Sequence, residues 1–246
     1  MKIFAANWKL FKTPNETRDF FTQFLESSSK ILNANSDTEI LFFPPAINLE
    51  AAAQSTKGFR IQLGAQNCYS EAEGAFTGEI SAQAVKSVGG GWILLGHSER
   101  RKLFFETDEV IAKKFALVQK LGLKPMLCIG ETLEERESGK TLAVLQKQLE
   151  LGLSQANRTQ FFAVAYEPVW AIGTGKVASL EQVKEAHAQV RTELSKKEFS
   201  DKTPILYGGS VKPDNAKALI QIDHVNGFLV GGASLEPKSF LEICQA

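Results

Sequence analysis

Eight short, nearly unbroken apolar runs recur along the 246-residue chain, and they constrain its fold more than any other feature. They are Ile3–Trp8, Glu39–Phe43, Arg60–Gln66, Trp92–Leu95, Pro125–Ile129, Phe161–Tyr166, Pro204–Tyr207 and Gly227–Val230. A strand wetted on one face alternates apolar and polar residues. Continuous runs of this length point to strands covered on both faces, as in a parallel sheet. Helical patterns fill the gaps. Thr13-Pro14-Asn15-Glu16 reads as a capping box with proline at the first helical position, and Phe20, Phe21, Phe24 and Leu25 follow at helical spacing. Ser179-Leu180-Glu181-Gln182 opens a second helix, running from Val183 to Leu194. Thr107–Leu121 carries Val110, Ile111, Phe115 and Val118 on one face, and Thr141–Leu153 carries Val144, Leu145 and Leu149. Shorter helices fit Ala46–Gln54, Glu79–Ser87, Pro213–Ile220 and Glu236–Cys244.

Strand–helix alternation gives an α/β fold. Eight units in a chain of this length favour a closed (β/α)8 barrel, which uses about 250 residues, over an open doubly wound sheet. No linker, charge block or low-complexity run interrupts the rhythm, so residues 1–246 are expected to form one domain.

Composition narrows the partners. Basic and acidic residues balance at 28 each, which gives no reason to expect nucleic acid or an anionic membrane. A small anion at a local positive site stays open. Three cysteines, Cys68, Cys128 and Cys244, make no disulfide framework, and neither they nor the three scattered histidines have metal-ligand spacing. The first apolar run is too short for a signal-peptide core, and no segment approaches the ~20 residues of a membrane span. The expected compartment is the cytoplasm.

In such a barrel the C-terminal strand ends share one mouth, where active sites form. Strand one ends in Asn7-Trp8-Lys9, and strand four in Gly96-His97-Ser98-Glu99. Strand five ends in Gly130-Glu131, and strand six in Tyr166-Glu167-Pro168. Strands seven and eight end in Tyr207-Gly208-Gly209-Ser210 and Val230-Gly231-Gly232-Ala233. The mouth thus gathers a lysine, a histidine and a glutamate opposite glycine-rich turns. Glycines let backbone N–H groups approach an anion, and strands seven and eight often build phosphate sites in this fold. A small phosphate ester is the expected ligand, with proton transfer on its carbon part. Two decoys fail. Gly173-Thr174-Gly175-Lys176-Val177-Ala178 fits a dinucleotide fingerprint, but it follows the sixth strand at a distance, and a nucleotide P-loop would need glycine at Trp170 and Ser or Thr at Val177.

These strings resemble the triosephosphate isomerase family. The NWK of strand one, GHSERR of strand four, the twelve-residue AYEPVWAIGTGK of Ala165–Lys176, YGGS and VGGASL stand in family order, and GAFTGEIS at Gly74–Ser81 matches its dimer loop. The resemblance runs from Ile3 nearly to the C-terminus. It implies a TIM barrel that interconverts dihydroxyacetone phosphate and glyceraldehyde 3-phosphate without cofactor or metal, as a homodimer. It implies Glu167 as the base on carbon, His97 as a neutral electrophile, Lys9 as the fixed cation, Asn7 as its orienter and Glu99 as its partner. The neutral histidine and the closing lid are properties for which this family is itself the standard illustration. Gly173, Ser210, Gly231 and Gly232 would hold the phosphate, and Thr77 would reach across the dimer to the partner's Asn7. Another sugar-phosphate isomerase, or a non-catalytic scaffold, is the alternative. Ala6, and Leu10-Phe11-Lys12 after the NWK, depart from the family pattern near the dimer contact. His187 and His224 read as structural.

Overall fold

The computed structural model describes residues 1–34, 37–172 and 176–246. Its eight strands are β1 (Lys2–Asn7), β2 (Thr38–Phe43), β3 (Ile61–Ala65), β4 (Trp92–Leu95), β5 (Lys124–Ile129), β6 (Ala163–Tyr166), β7 (Ile205–Tyr207) and β8 (Gly227–Val230). They pair in parallel, in chain order, and β8 closes on β1. All eight expected runs are strands, to within two residues at each end. The closed barrel decides against the open sheet.

The unbroken apolar character of the runs has a direct cause. Alternate side chains of each strand enter two different cores. Ile3 and Ala5 of β1 point into the barrel with Leu41, Phe43, Leu94, Met126, Ala165 and Leu229. Phe4 and Ala6 point out into the layer beneath the helices. Both sides are dry, so apolar residues dominate the strand interiors, with half-buried Gln62 of β3 an exception near its strand's start. Gly64 of β3 makes room for this packing, because a Cβ there would lie 2.5 Å from the Phe43 ring.

Helices α1 (Pro14–Ala34), α2 (Leu49–Ser55), α3 (Ala82–Ser87), α4 (Ser98–Leu103), α5 (Asp108–Lys120), α6 (Leu133–Glu137), α7 (Thr141–Gly152), α8 (Leu180–Lys196), α9 (Pro213–Leu219) and α10 (Pro237–Cys244) cover the strands. The capping boxes form where the sequence places them. Thr13 and Glu16 exchange hydrogen bonds at the head of α1, and Ser179 and Gln182 do so at α8. Four details differ from expectation. Ala46–Asn48 is a 3-10 turn leading into α2, and α3 begins only after its Ser81 cap. The five-residue α6 carries no apolar stripe and is set by its Thr132–Glu135 capping box. Val110 is 37% exposed, although Ile111, Phe115 and Val118 of the same helix are buried.

The seam between β1, β2, α1 and α10 is aromatic. Phe42 of β2 packs against Trp8, Phe20, Phe21, Phe24 and Phe240, with ring centroids 5.0–5.7 Å apart. Because Trp8 follows β1 directly, this cluster also fixes the strand that carries Asn7 and Lys9. Phe42→Ala is expected to destabilise the fold by about 3–5 kcal/mol, the cost of emptying a well-packed aromatic site. Urea unfolding at fixed protein concentration measures it, and a loss below about 1 kcal/mol would show that the cluster does not hold the seam.

Candidate active site

The site begins with a strained lysine. After β1 the chain turns sharply, and Lys9 adopts φ +51°, a conformation costing a non-glycine residue about 1–3 kcal/mol. The peptides on either side of it are gripped. Asn7 Oδ1 accepts the Lys9 N–H at 3.0 Å, and Gln66 Nε2 donates to the Lys9 carbonyl at 2.8 Å and to that of Phe43 at 2.8 Å. The turn aims the ammonium across the mouth, where it meets Glu99 Oε1 at 2.7 Å.

β4 supplies the second group. Gly96 turns the chain with φ +70°, and His97 then caps α4. Its Nδ1 accepts the Glu99 N–H at 3.2 Å. A nitrogen that accepts carries no proton, so this contact describes a neutral ring with its proton on Nε2. Nε2 lies 2.9 Å from Glu167 Oε1. Burial disfavours the imidazolium, but the Glu167 and Glu99 carboxylates outweigh it and raise the ring's pKa above its ordinary value. The positive end of α4 and the backbone N–H act in the opposite sense.

Glu167 directly follows β6 and is 2% exposed. A carboxylate buried this deeply needs partners. It finds them in His97 and in the Ser98 N–H, which donates to Oε2 at 3.0 Å at the start of α4. Glycines make room around it. A Cβ on Gly130 would fall 1.7 Å from the Glu167 carbonyl oxygen, and one on Gly208 would fall 2.9 Å from its Cγ. Cys128 lies close by, and burial drives its thiol pKa upward.

Glu131 fastens the segment that follows. It is fully buried, and its Oε1 accepts from Arg136, Tyr166 and Trp170 at 2.9, 3.2 and 2.9 Å. Its backbone carbonyl takes the Val169 N–H at 3.1 Å. The stretch after Glu167 is therefore tied down at its root, while Ser210 Oγ donates to the Ala171 carbonyl at 2.8 Å.

These groups surround a cavity of about 220 Å³. Asn7, Lys9, His97 and Glu167 form one wall, and Gly209, Ser210, Gly231 and Gly232 form the other. Gly232 opens a 3-10 turn, Gly232–Leu235, whose first N–H groups lack helical partners and suit an anion. The structure thus brings together Asn7, Lys9, His97, Glu167, Ser210, Gly231 and Gly232, with Glu99 joined through Lys9. Gly173 lies outside the described residues. Thr77 stands at an exposed loop tip and lines neither this cavity nor its neighbour. That neighbour, of about 460 Å³, runs from Lys9 and Glu99 to Leu10, Phe11, Leu103 and Phe104.

Sequence reasoning gave no role to Gln66, Gly130 or Glu131. An acidic residue within two positions of an apolar strand's end marks Glu131 as it marks Glu167, but nothing local flags Gln66. His187 is structural, as its helical surroundings suggest. It is buried, its pKa lowered to about 4 by that burial, with Nδ1 3.1 Å from the His224 carbonyl.

Comparison with known proteins agrees with this geometry. The family model described as triosephosphate isomerase matches residues 2–246. A triosephosphate isomerase of Bdellovibrio bacteriovorus is 63% identical over 242 residues, covering 98% of each chain. Those of Solibacter usitatus and Aquifex aeolicus are each 45% identical, covering 98% of this chain and 97% and 98% of their own. The chain belongs to the triosephosphate isomerase family.

Proposed function

We propose that this chain interconverts dihydroxyacetone phosphate and D-glyceraldehyde 3-phosphate through an enediolate, with Glu167 as the base. One observation carries the reading. A buried carboxylate touches the proton-bearing nitrogen of a histidine inside a cavity that also holds a fixed lysine. Moving a proton between adjacent carbons needs a base on carbon, a hydrogen-bond donor to oxygen and a charge beside the developing oxyanion. Glu167 takes the proton from one carbon and returns it to the next. Its carboxylate leaves the Ser98 N–H to do so, and the space above Gly208 gives it a path. His97 Nε2–H donates to the substrate oxygen. Lys9 stabilises the enediolate and faces the phosphate, while Glu99 holds the ammonium in place. Asn7 fixes the Lys9 turn. Ser210, Gly231 and Gly232, with Gly173, take the phosphate. No step calls for a cofactor or a metal.

The same reading treats residues 1–246 as one catalytic domain acting as a homodimer in the cytoplasm. The apolar groove beside Lys9 supports the dimer. Leu10 is 95% exposed and Phe11 54%, and a partner's Gly74–Ser81 loop, with Thr77 at its tip, would cover them and support Asn7. None of the described helices is long and apolar enough to cross a membrane.

The purified protein should convert glyceraldehyde 3-phosphate without added metal or nucleotide. Glu167→Gln should lower kcat by roughly 10²-fold or more, with the fold intact by circular dichroism. An inactive, folded wild type would refute the reaction, and an undiminished variant would refute the base. Sedimentation velocity at assay concentration should give twice the chain mass, and a monomer with full activity would remove the role proposed for Thr77.

A further inference from the structure

Where β4 turns away from the barrel wall, β5 loses its ladder partner before it reaches the level of the active site. Residues of a strand alternate in the neighbour their backbone groups face. Ile129 and Glu131 face β6, accepting the Glu167 N–H at 2.7 Å and the Val169 N–H at 3.1 Å. Cys128 and Gly130 therefore face the β4 side. There β4 has ended at Leu95, and Gly96, at φ +70°, carries the chain off. Two side chains fill the gap. Arg101 bridges the Gly96 and Cys128 carbonyls at 2.7 and 3.1 Å. Gln148, on α7, accepts the Gly130 N–H through Oε1 at 2.8 Å and donates to the Gly130 carbonyl through Nε2 at 3.2 Å.

We propose that Gln148 is a positioning residue for the isomerisation, its amide standing in for the missing β4 peptide. This rests on the role proposed for Glu167. A side-chain amide offers the same acceptor and donor pair as a backbone peptide, so it extends the ladder of β5 without a strand. The consequence reaches the base through backbone alone. Gly130 is so close to Glu167 that no Cβ fits between them. The residues flanking it in sequence hold the backbone of Glu167 and Val169 and, through Glu131, the Trp170 and Tyr166 side chains. Without Gln148 the Gly130 N–H and carbonyl lose these partners, and the two peptides flanking its Cα can rotate. The platform carrying Glu167 and the root of the following segment then loosens. The phosphate wall, built from β7 and β8, stays as it is.

Three variants test this. Gln148→Leu keeps bulk and removes both hydrogen bonds. It should lower kcat on the order of tenfold and leave KM within about twofold, because small misplacement of a base costs rate rather than binding. Leu149→Ala, a buried neighbour on the same helix, should destabilise the fold and leave kcat unchanged. Gln148→Glu presents two acceptors when ionised but regains a donor when protonated, so its kcat relative to wild type should climb as pH falls. Hydrogen exchange gives a readout independent of turnover. The Glu167 and Val169 amides should exchange faster in Gln148→Leu. An unchanged kcat in Gln148→Leu, a loss equal to that of Leu149→Ala, a flat Gln148→Glu ratio or unaltered protection of the two amides would overturn the proposal. An inactive wild type with faster amide exchange in Gln148→Leu would instead refute the reaction and leave the clamp standing.

Discussion

The carboxylate of Glu167 is buried between the Ser98 N–H and His97 Nε2, and the arrangement of the mouth follows from keeping it there. An unpaired charge at that depth would cost several kcal/mol, so the start of α4 must lie opposite the end of β6. That placement has two effects at once. The Ser98 N–H supplies a partner that a substrate can replace, and the Glu99 N–H, one residue on, occupies His97 Nδ1 and leaves the ring's proton on Nε2. One helix N-terminus thus sets both the resting place of the base and the tautomer of its neighbour. The carboxylate raises the histidine's pKa only while it rests beside it. When it turns to the substrate that influence weakens, and burial, the helix end and the backbone N–H favour the neutral ring against the remaining pull of Glu99.

A second constraint is that the barrel must be dry on both sides of every strand. Polar chemistry is therefore confined to the strand ends, which is why reading those ends finds the site. Lys9 can leave β1 at φ +51° because Asn7 and Gln66 hold the peptides on either side of it, and the aromatic seam around Phe42 holds the strand beneath. Local strain at the mouth is borne by packing one layer down.

Much of this was legible in the sequence because it depends on local patterns. Continuous apolar runs mark strands buried on both faces, and Thr13-Pro14-Asn15-Glu16 and Ser179-Leu180-Glu181-Gln182 carry their capping chemistry in adjacent residues. The positions of Lys9, His97 and Glu167 follow from the strand ends. What stayed hidden depends on contacts distant in sequence. Gln66 and Gln148 are polar residues like many others until the fold sets them against the Lys9 and Gly130 peptides. Gly130 reads as a turn residue, although its real constraint is the backbone of Glu167, 37 positions later in the numbering. The helix α6 leaves no periodic signal in the sequence, because its five residues are held by a cap.

The protonation state of His97 in the filled cavity tests the proposed chemistry most directly. With ¹⁵N-labelled protein and a non-reacting phosphate ester bound at neutral pH, the ring should show one proton-bearing nitrogen, Nε2, and one bare nitrogen, Nδ1. An imidazolium with both nitrogens protonated, or a neutral ring protonated on Nδ1, would contradict the control that the start of α4 exerts over the histidine.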